Sequence, residues 1–449
     1  MHGGNFSLAG KDCPKFRGEW YNASNPGAKE GRPAERGGVM SVFARRMKTM
    51  EKSAGIIRGL FGSMNDPGVI SFGGGAPARE ALPVDMVREI ANDVIRREGR
   101  GVEALQYGSV MGLPDLRDIV VSHLLVPKGV AADPANILIT SGGLEGINLL
   151  CQLFIDPGDV ILVESPTFVH CVEIFEMFQA RCISVAMDEN GMIPEELEAK
   201  IKKHSPKMVY VIPTFHNPTG RTLSLERRKK IAALGSEYDV IILEDDPYRD
   251  IRYSGSDLLP IKAFDTTGNT VLANSFSKIF SPGSRLGYVL ASEEITAKLF
   301  DAKTATNSHT SMLPQVICAE FFKRGFYPGH HEMICGLYRE RRDVMIQSID
   351  AFFPKGTKRT FPDGGLFTWV DLPGGINTTS LLAESVANPQ VRVAYVAGEG
   401  FFIEGNGMGS NCMRISFGSV PPEKIRIGAE KLGKLICSKI DGALGCIAE

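Results

Sequence analysis

Seven short runs rich in Val, Ile and Leu punctuate the chain between residues 70 and 292, at 137–140, 160–164, 183–186, 209–213, 240–244, 271–273 and 288–290. None alternates strictly between polar and apolar residues, so each is expected to be a strand buried on both faces, with the longer helical segments between them as cover. That rhythm constrains the fold to an α/β layered domain around a mostly parallel sheet. Beyond about residue 320 the texture changes. A charged helix around 338–349, strand-like runs at 366–370 and 413–417, and a helix opening after Pro421 and Pro422 predict a smaller α+β domain.

The N-terminal region reads differently. Residues 1–38 hold eight glycines and three prolines without periodicity, too little apolar surface to offset the entropy of ordering, so a flexible tail is expected. Phe43, Met47, Met50, Ala54 and Ile57 then recur at spacings of 4, 3, 4 and 3, the signature of one helix face. An amphipathic arm over 39–75 could pack on its own subunit or on a partner. The expected division is a tail at 1–38, the arm at 39–75, a large domain at 76–310 and a small C-terminal domain at 311–449.

Composition removes several function classes. With 50 basic against 52 acidic residues and a net charge of −2, the chain has no global field to hold a polyanion, so nucleic acid is not expected as a partner. No apolar stretch is long enough to span a bilayer. Nine cysteines lie scattered with no C-x-x-C pair, as expected for reduced thiols in the cytoplasm. Only His330 and His331 among the eight histidines lie close together, and no ligand set sits beside them, so no metal is expected.

In sheets of this kind ligands bind beyond the carboxyl ends of the strands, and the residues that follow each run here carry chemistry. After 137–140 comes Ser141-Gly142-Gly143-Leu144-Glu145-Gly146 and an apolar helix, a glycine turn whose free backbone N–H groups favour an anion. It imitates a dinucleotide fingerprint, with Glu164 as the distant acid, but Ser141 stands where the first glycine belongs. After 209–213 comes Asn217-Pro218-Thr219-Gly220, and after 240–244 comes Asp245-Asp246-Pro247-Tyr248. After 271–273 comes Asn274-Ser275-Phe276-Ser277-Lys278, with Arg285 beyond it. Two hydroxyls, an amine and a guanidinium on one loop suit a phosphate dianion beside an aldehyde. A lysine there can react with the aldehyde if desolvation and nearby cations deprotonate it.

From Val69 onward these motifs, with Leu105-Gln106-Tyr107 and Met413-Arg414-Ile415-Ser416-Phe417, resemble the pyridoxal-phosphate-dependent aminotransferases of fold type I, class I/II. The chain looks most like the 2-aminoadipate, kynurenine and aromatic aminotransferases. The resemblance implies a homodimer that uses pyridoxal 5'-phosphate to move an amino group from an aromatic or 2-aminoadipate-like amino acid to 2-oxoglutarate. It implies that Lys278 holds the cofactor covalently and shuttles the proton, that Asp245 pairs with the ring nitrogen, and that Asn217 and Tyr248 hydrogen-bond the ring oxygen. Phe168 would stack on the ring, where many relatives have tyrosine. Gly142, Gly143, Leu144, Ser275, Ser277 and Arg285 would bind the phosphate, with Tyr107 reaching it from the partner subunit. Arg414 would clamp the substrate carboxylate, with Gly74 and Gly75 on the substrate side. Relatives often place serine and glutamine where this chain has Gly143 and Leu144, so weaker cofactor binding is expected. The same contacts would serve a β-lyase or a decarboxylase. Cofactor-sensing transcriptional regulators share the domain, but the glycine-rich tail lacks the basic helical pattern of their DNA-binding module.

Overall fold

In the computed structural model, the described residues are 43, 44, 46, 47, 66 and 68–440. Residues 1–44 and 45–449 form separate units, and of the first only Phe43 and Ala44 are described, both exposed. Arg46 and Met47 are helical and exposed. The expected tail and the arm positions Met40, Arg45, Met50, Ala54, Ile57 and Arg58 lie outside the described residues.

A two-residue strand, β1 (Ile70–Ser71), opens the continuous part of the chain. The large sheet follows, built from β2 (Ile137–Thr140), β3 (Val160–Ser165), β4 (Arg181–Asp188), β5 (Gly191–Met192), β6 (Met208–Val211), β7 (Ile241–Asp245), β8 (Thr270–Ser275) and β9 (Gly287–Leu290). Their spatial order is β2-β9-β8-β7-β6-β3-β4-β5. Neighbours from β8 through β4 pair in parallel, while β9 runs antiparallel to both β2 and β8 and β5 folds back on β4. All seven sequence runs are strands. The reversal of β9 has a simple cause, since the connector 276–286 is too short for the crossover that a parallel neighbour requires.

Strands β2 and β6 are buried along their whole length, as the unalternating runs require. Leu138, Ile161, Val163, Tyr210, Leu243 and Val271 pack on one face with helix Gly143–Phe154, and Leu162, Val209, Val211 and Ile242 pack on the other with Ile231 and Leu234. Each such side chain contributes roughly 1.5–3 kcal/mol of burial.

The C-terminal sheet contains β10 (Lys358–Arg359), β11 (Phe367–Asp371), β13 (Val396–Ala397) and β14 (Cys412–Ser416), in the order β10-β11-β14-β13 and antiparallel throughout. Strand β12 (Val393–Ala394) instead pairs in parallel with β1, and Ser416 N–H donates to the Phe72 carbonyl at 2.8 Å. Residues 70–72 are therefore stitched to the C-terminal part of the chain. Helix Met312–Lys323 packs on helices Val84–Val94, Gly101–Leu105 and Pro114–Ile119, and the long helix Phe326–Phe352 packs on helix Pro422–Cys437. Among the described residues no helix is long and apolar enough to cross a membrane.

One close approach fixes how β9 meets its neighbours. A Cβ on Gly287 would lie 2.7 Å from the Gly142 carbonyl carbon, 2.8 Å from the Asn274 oxygen and 2.9 Å from the Gly143 nitrogen, all backbone atoms. Gly287→Ala is expected to lower stability by about 1–3 kcal/mol, the range for an overpacked interior. A fall in the midpoint of urea unfolding at unchanged slope checks it.

Candidate active site

The ends of β2 and β8 meet first. Gly142 has φ +86°, a conformation that costs glycine little, and it begins the helix Gly143–Phe154. The first N–H groups of a helix have no intrahelical acceptor. Beside them lie Ser275, whose Cβ would be 3.8 Å from a Cβ on Gly143, and Arg285, whose guanidinium occupies the space a Cβ on Gly142 would need. The hydroxyls of Ser275 and Ser277 are 2.8 Å apart. Leu144, 37% exposed, offers this turn only its backbone N–H. The predicted phosphate-binding residues Gly142, Gly143, Leu144, Ser275, Ser277 and Arg285 are thus brought together. Glu164, the acid of the dinucleotide imitation, is buried, accepts from Ile212 N–H at 2.8 Å and lies 3.2 Å from His216 Nε2.

The loop after β8 delivers Lys278. Phe276, Ile279 and Phe280 are buried and anchor the turn, and Phe276 N–H donates to the Leu286 carbonyl at 3.1 Å. Lys278 is left facing a cavity of about 220 Å³, where Nζ donates to the Gly75 carbonyl at 2.7 Å. Burial, then Arg414 and Arg285, lower its pKa to about 8.

Arg414 enters the same cavity from β14, where it faces Trp369 of β11 and Val396 of β13. Its neighbours Met413 and Ile415 point into the core, as strand alternation requires. The guanidinium donates to Asn217 Oδ1 at 2.8 Å and to the Gly73 carbonyl, and lies over the rings of Phe367 and Phe401 at 4.4 and 5.2 Å. Burial lowers its pKa to about 10, so it remains a cation at neutral pH. Gly73, Gly74, Gly75, Phe168, Asn217 and Tyr248 line the cavity with it.

Asp245 ends β7 and is buried. Burial pushes its pKa up to about 7, with Asp246 and Glu164 adding to the rise, while the Tyr210 hydroxyl opposes it by donating to Oδ2 at 2.7 Å. Burial raises the Tyr248 phenol, which stands edge-on to Phe367 at 5.6 Å. Tyr107 is not brought to this cavity. It is 86% exposed and sits edge-on to His309 at 5.7 Å.

Several site residues escaped the sequence reading. Tyr210 is hidden within an apolar strand run, and Phe367, Phe401, Val396 and His170 lie in segments without a motif. The only available signal was position: His170 is two residues past Phe168, and Phe367 is the second residue of a strand-like run.

Pyridoxal 5'-phosphate fits what is present. A helix N-terminus with two hydroxyls and an arginine suits its phosphate, a depressed lysine suits its aldehyde, and a buried carboxylate suits its ring nitrogen. The Lys278 shift predicts that, in cofactor-free protein, this amine is half-reactive toward a lysine-acylating reagent near pH 8, with the free amine gaining as pH rises. Ordinary lysines titrate near 10.4. Peptide mapping by mass spectrometry across a pH series checks it.

The profile described as aminotransferase class I and II matches residues 67–432. The chain is 37% identical over 394 residues to aromatic-amino-acid aminotransferase 1 of Thermococcus litoralis, covering 87% of this chain and 93% of that one. It is 33% identical to the 2-aminoadipate transaminase of Thermus thermophilus, covering 85% and 94%. Among solved structures, the kynurenine aminotransferase of Pyrococcus horikoshii, with PMP and kynurenine, superposes with a TM-score of 0.84 at 34% identity, covering 90% of this chain and 99% of that chain. With Phe168, Asn217, Tyr248 and Arg414 lining one cavity with the Lys278 amine, and the match running nearly the whole described length, the chain belongs to the class I and II aminotransferase family, whose cofactor is pyridoxal 5'-phosphate.

Proposed function

We propose that the protein transfers the amino group of an aromatic or 2-aminoadipate-like L-amino acid to 2-oxoglutarate, as a homodimer in the cytoplasm. The observation that carries this reading is the meeting, in one cavity, of the deprotonation-prone Lys278 and the Arg414 guanidinium held by Asn217. The domain division at 310/311 is retained in the proposal, with residues 76–310 holding the cofactor. The exposure of Tyr107 supports a role in the site of a second copy. Buried, unbridged cysteines at 151, 171, 318, 335 and 412 suit a reducing compartment.

The residues divide the work. Gly142, Gly143, Leu144, Ser275, Ser277 and Arg285 would hold the phosphate, and Phe168 would lie against the ring. Asn217 and Tyr248 would bond the ring oxygen. Asp245 would hold a proton at the ring nitrogen by pairing with it as a carboxylate. When bound, the cofactor supplies an electron-accepting ring that spreads the charge developed at the substrate Cα. Arg414 clamps the α-carboxylate by two N–H groups, which fixes which Cα bond is presented for breaking. Lys278 Nζ then takes the Cα proton, acting as a general base whose pKa near 8 lies close to working pH. Gly74 and Gly75 leave backbone on the substrate side. A lyase or decarboxylase would keep the cofactor contacts, so substrate conversion is the deciding observation.

A panel of amino donors with 2-oxoglutarate, read as glutamate formed, is expected to favour aromatic and 2-aminoadipate-like donors. Exclusive use of a small donor such as alanine, or release of ammonia or carbon dioxide instead of glutamate, would contradict the proposal. Lys278→Ala should abolish transamination, and borohydride should no longer fix the cofactor to the chain. Asp245→Asn should slow Cα proton removal by about a hundredfold or more, about 2.7 kcal/mol. Single-turnover absorbance measurements would detect it.

A further inference from the structure

The cavity is walled mainly by hydrocarbon. Phe168, Val169, Phe367, Val396 and Phe401 supply its apolar surface. Its charged lining residues, among those described, are Lys278 and Arg414, and both are engaged by the contacts above. One polar lining residue has no part in that machinery. His170 lies in the first turn of helix Val169–Met177, two residues beyond Phe168, with the two rings 5.1 Å apart and tilted by 43°.

The imidazole is half-buried, and Nδ1 is shut away from solvent without a hydrogen-bond partner among the described residues. That leaves Nε2 as the ring nitrogen able to meet a ligand. Burial first, and then the Arg414 guanidinium, keep the pKa below the ordinary 6.5. The ring is therefore neutral at pH 7 and presents a hydrogen-bonding atom without a charge. A bare hydrocarbon ring would fit the walls but displace water from Nε2 without replacing its hydrogen bond. A hydroxyl or amine on an aromatic ring fits the walls and replaces that bond.

We propose that His170 is a specificity-determining residue that hydrogen-bonds, through Nε2, a polar group on the side chain of an aromatic amino donor. The site then favours ring-substituted aromatic donors over unsubstituted ones. This rests on the transaminase reading above and narrows its donor class. Sites that hydrogen-bond a substrate group discriminate strongly against analogues lacking it, because the protein group is then left unpaired.

The test uses wild-type, His170→Phe and His170→Gln holoenzymes with L-tyrosine, L-phenylalanine and L-2-aminoadipate. In wild type, kcat/KM is expected to be higher for tyrosine than for phenylalanine. In His170→Phe the ratio of kcat/KM for tyrosine to that for phenylalanine should fall about tenfold, chiefly through the KM of tyrosine, the size expected for one lost hydrogen bond. The ratio cancels any loss of folded or cofactor-loaded enzyme. His170→Gln, which keeps a hydrogen-bonding group, should recover most of it. A ratio within about twofold of wild type in His170→Phe, or a wild-type preference for phenylalanine over tyrosine, overturns the inference. A wild-type enzyme that transaminates none of the three donors overturns the functional reading itself, an outcome distinct from an unchanged ratio.

Discussion

Keeping Lys278, Arg414 and Asp245 largely out of water is costly, and much of the surrounding structure answers it. An isolated buried charge costs several kcal/mol even after relaxation. Each of the three meets that cost differently. Arg414 keeps its charge and is given the Asn217 amide oxygen, the Gly73 carbonyl and two aromatic faces. Lys278 sheds part of its charge, its pKa falling to about 8, and rests on the Gly75 carbonyl. Asp245 is left the most exposed to the penalty, with Tyr210 as its hydrogen-bond donor. Two of these acceptors are backbone oxygens of 73–75, so that segment has to run across the cavity. Its attachment beside β12 and β14 holds it there.

Strand direction explains why the remaining groups converge. Strands β2, β8, β7, β6, β3 and β4 all point the same way, because β9 is antiparallel to both of its neighbours. Their carboxyl ends therefore lie along one edge. Residues 141–144, 166–168, 212–217, 245–248 and 275–278 follow from that edge, which is the crevice where open α/β sheets bind ligands. The reversed β9 brings Gly287 against the Gly142–Gly143 backbone and Asn274. The turn at 141–144 is thereby packed on the same strand pair that carries Ser275.

The parts of this arrangement legible in the sequence are local ones. Buried strands announce themselves by unbroken apolar runs, and the turns after them carry Asn217, Asp245 and Lys278 within a few residues of a strand end. What could not be read is how segments far apart in the chain meet. Lys278 is separated from Gly75 by 203 positions, and Arg414 from Asn217 by 197. Tyr210 was invisible for a different reason: in a strand buried on both faces a tyrosine reads as core, and only its partner 35 residues away gives the hydroxyl a purpose. The antiparallel β9 was open to inference from the length of the 276–286 connector, yet its Val, Leu and Tyr content gives no sign of direction. The expected role of the arm rests on residues outside the described part of the chain.

The state of Asp245 joins stability to function. Its folded pKa of about 7 lies above the ordinary carboxylate value of about 3.9. The unfolded chain therefore gives up this proton more readily, so the fold keeps its full stability only below about pH 4 and loses this contribution as pH rises through 7. Burial, Asp246 and Glu164 all raise the pKa, and Asp246 has cations of its own in Arg249, at 3.6 Å, and Arg228. Among the described residues no cation offsets the rise at Asp245 itself. A protonated ring nitrogen placed there would reverse the sign of the cost, favouring the carboxylate and holding its own proton by the same interaction. A strand end that by itself weakens the fold marks a site whose electrostatics are completed by the group it binds.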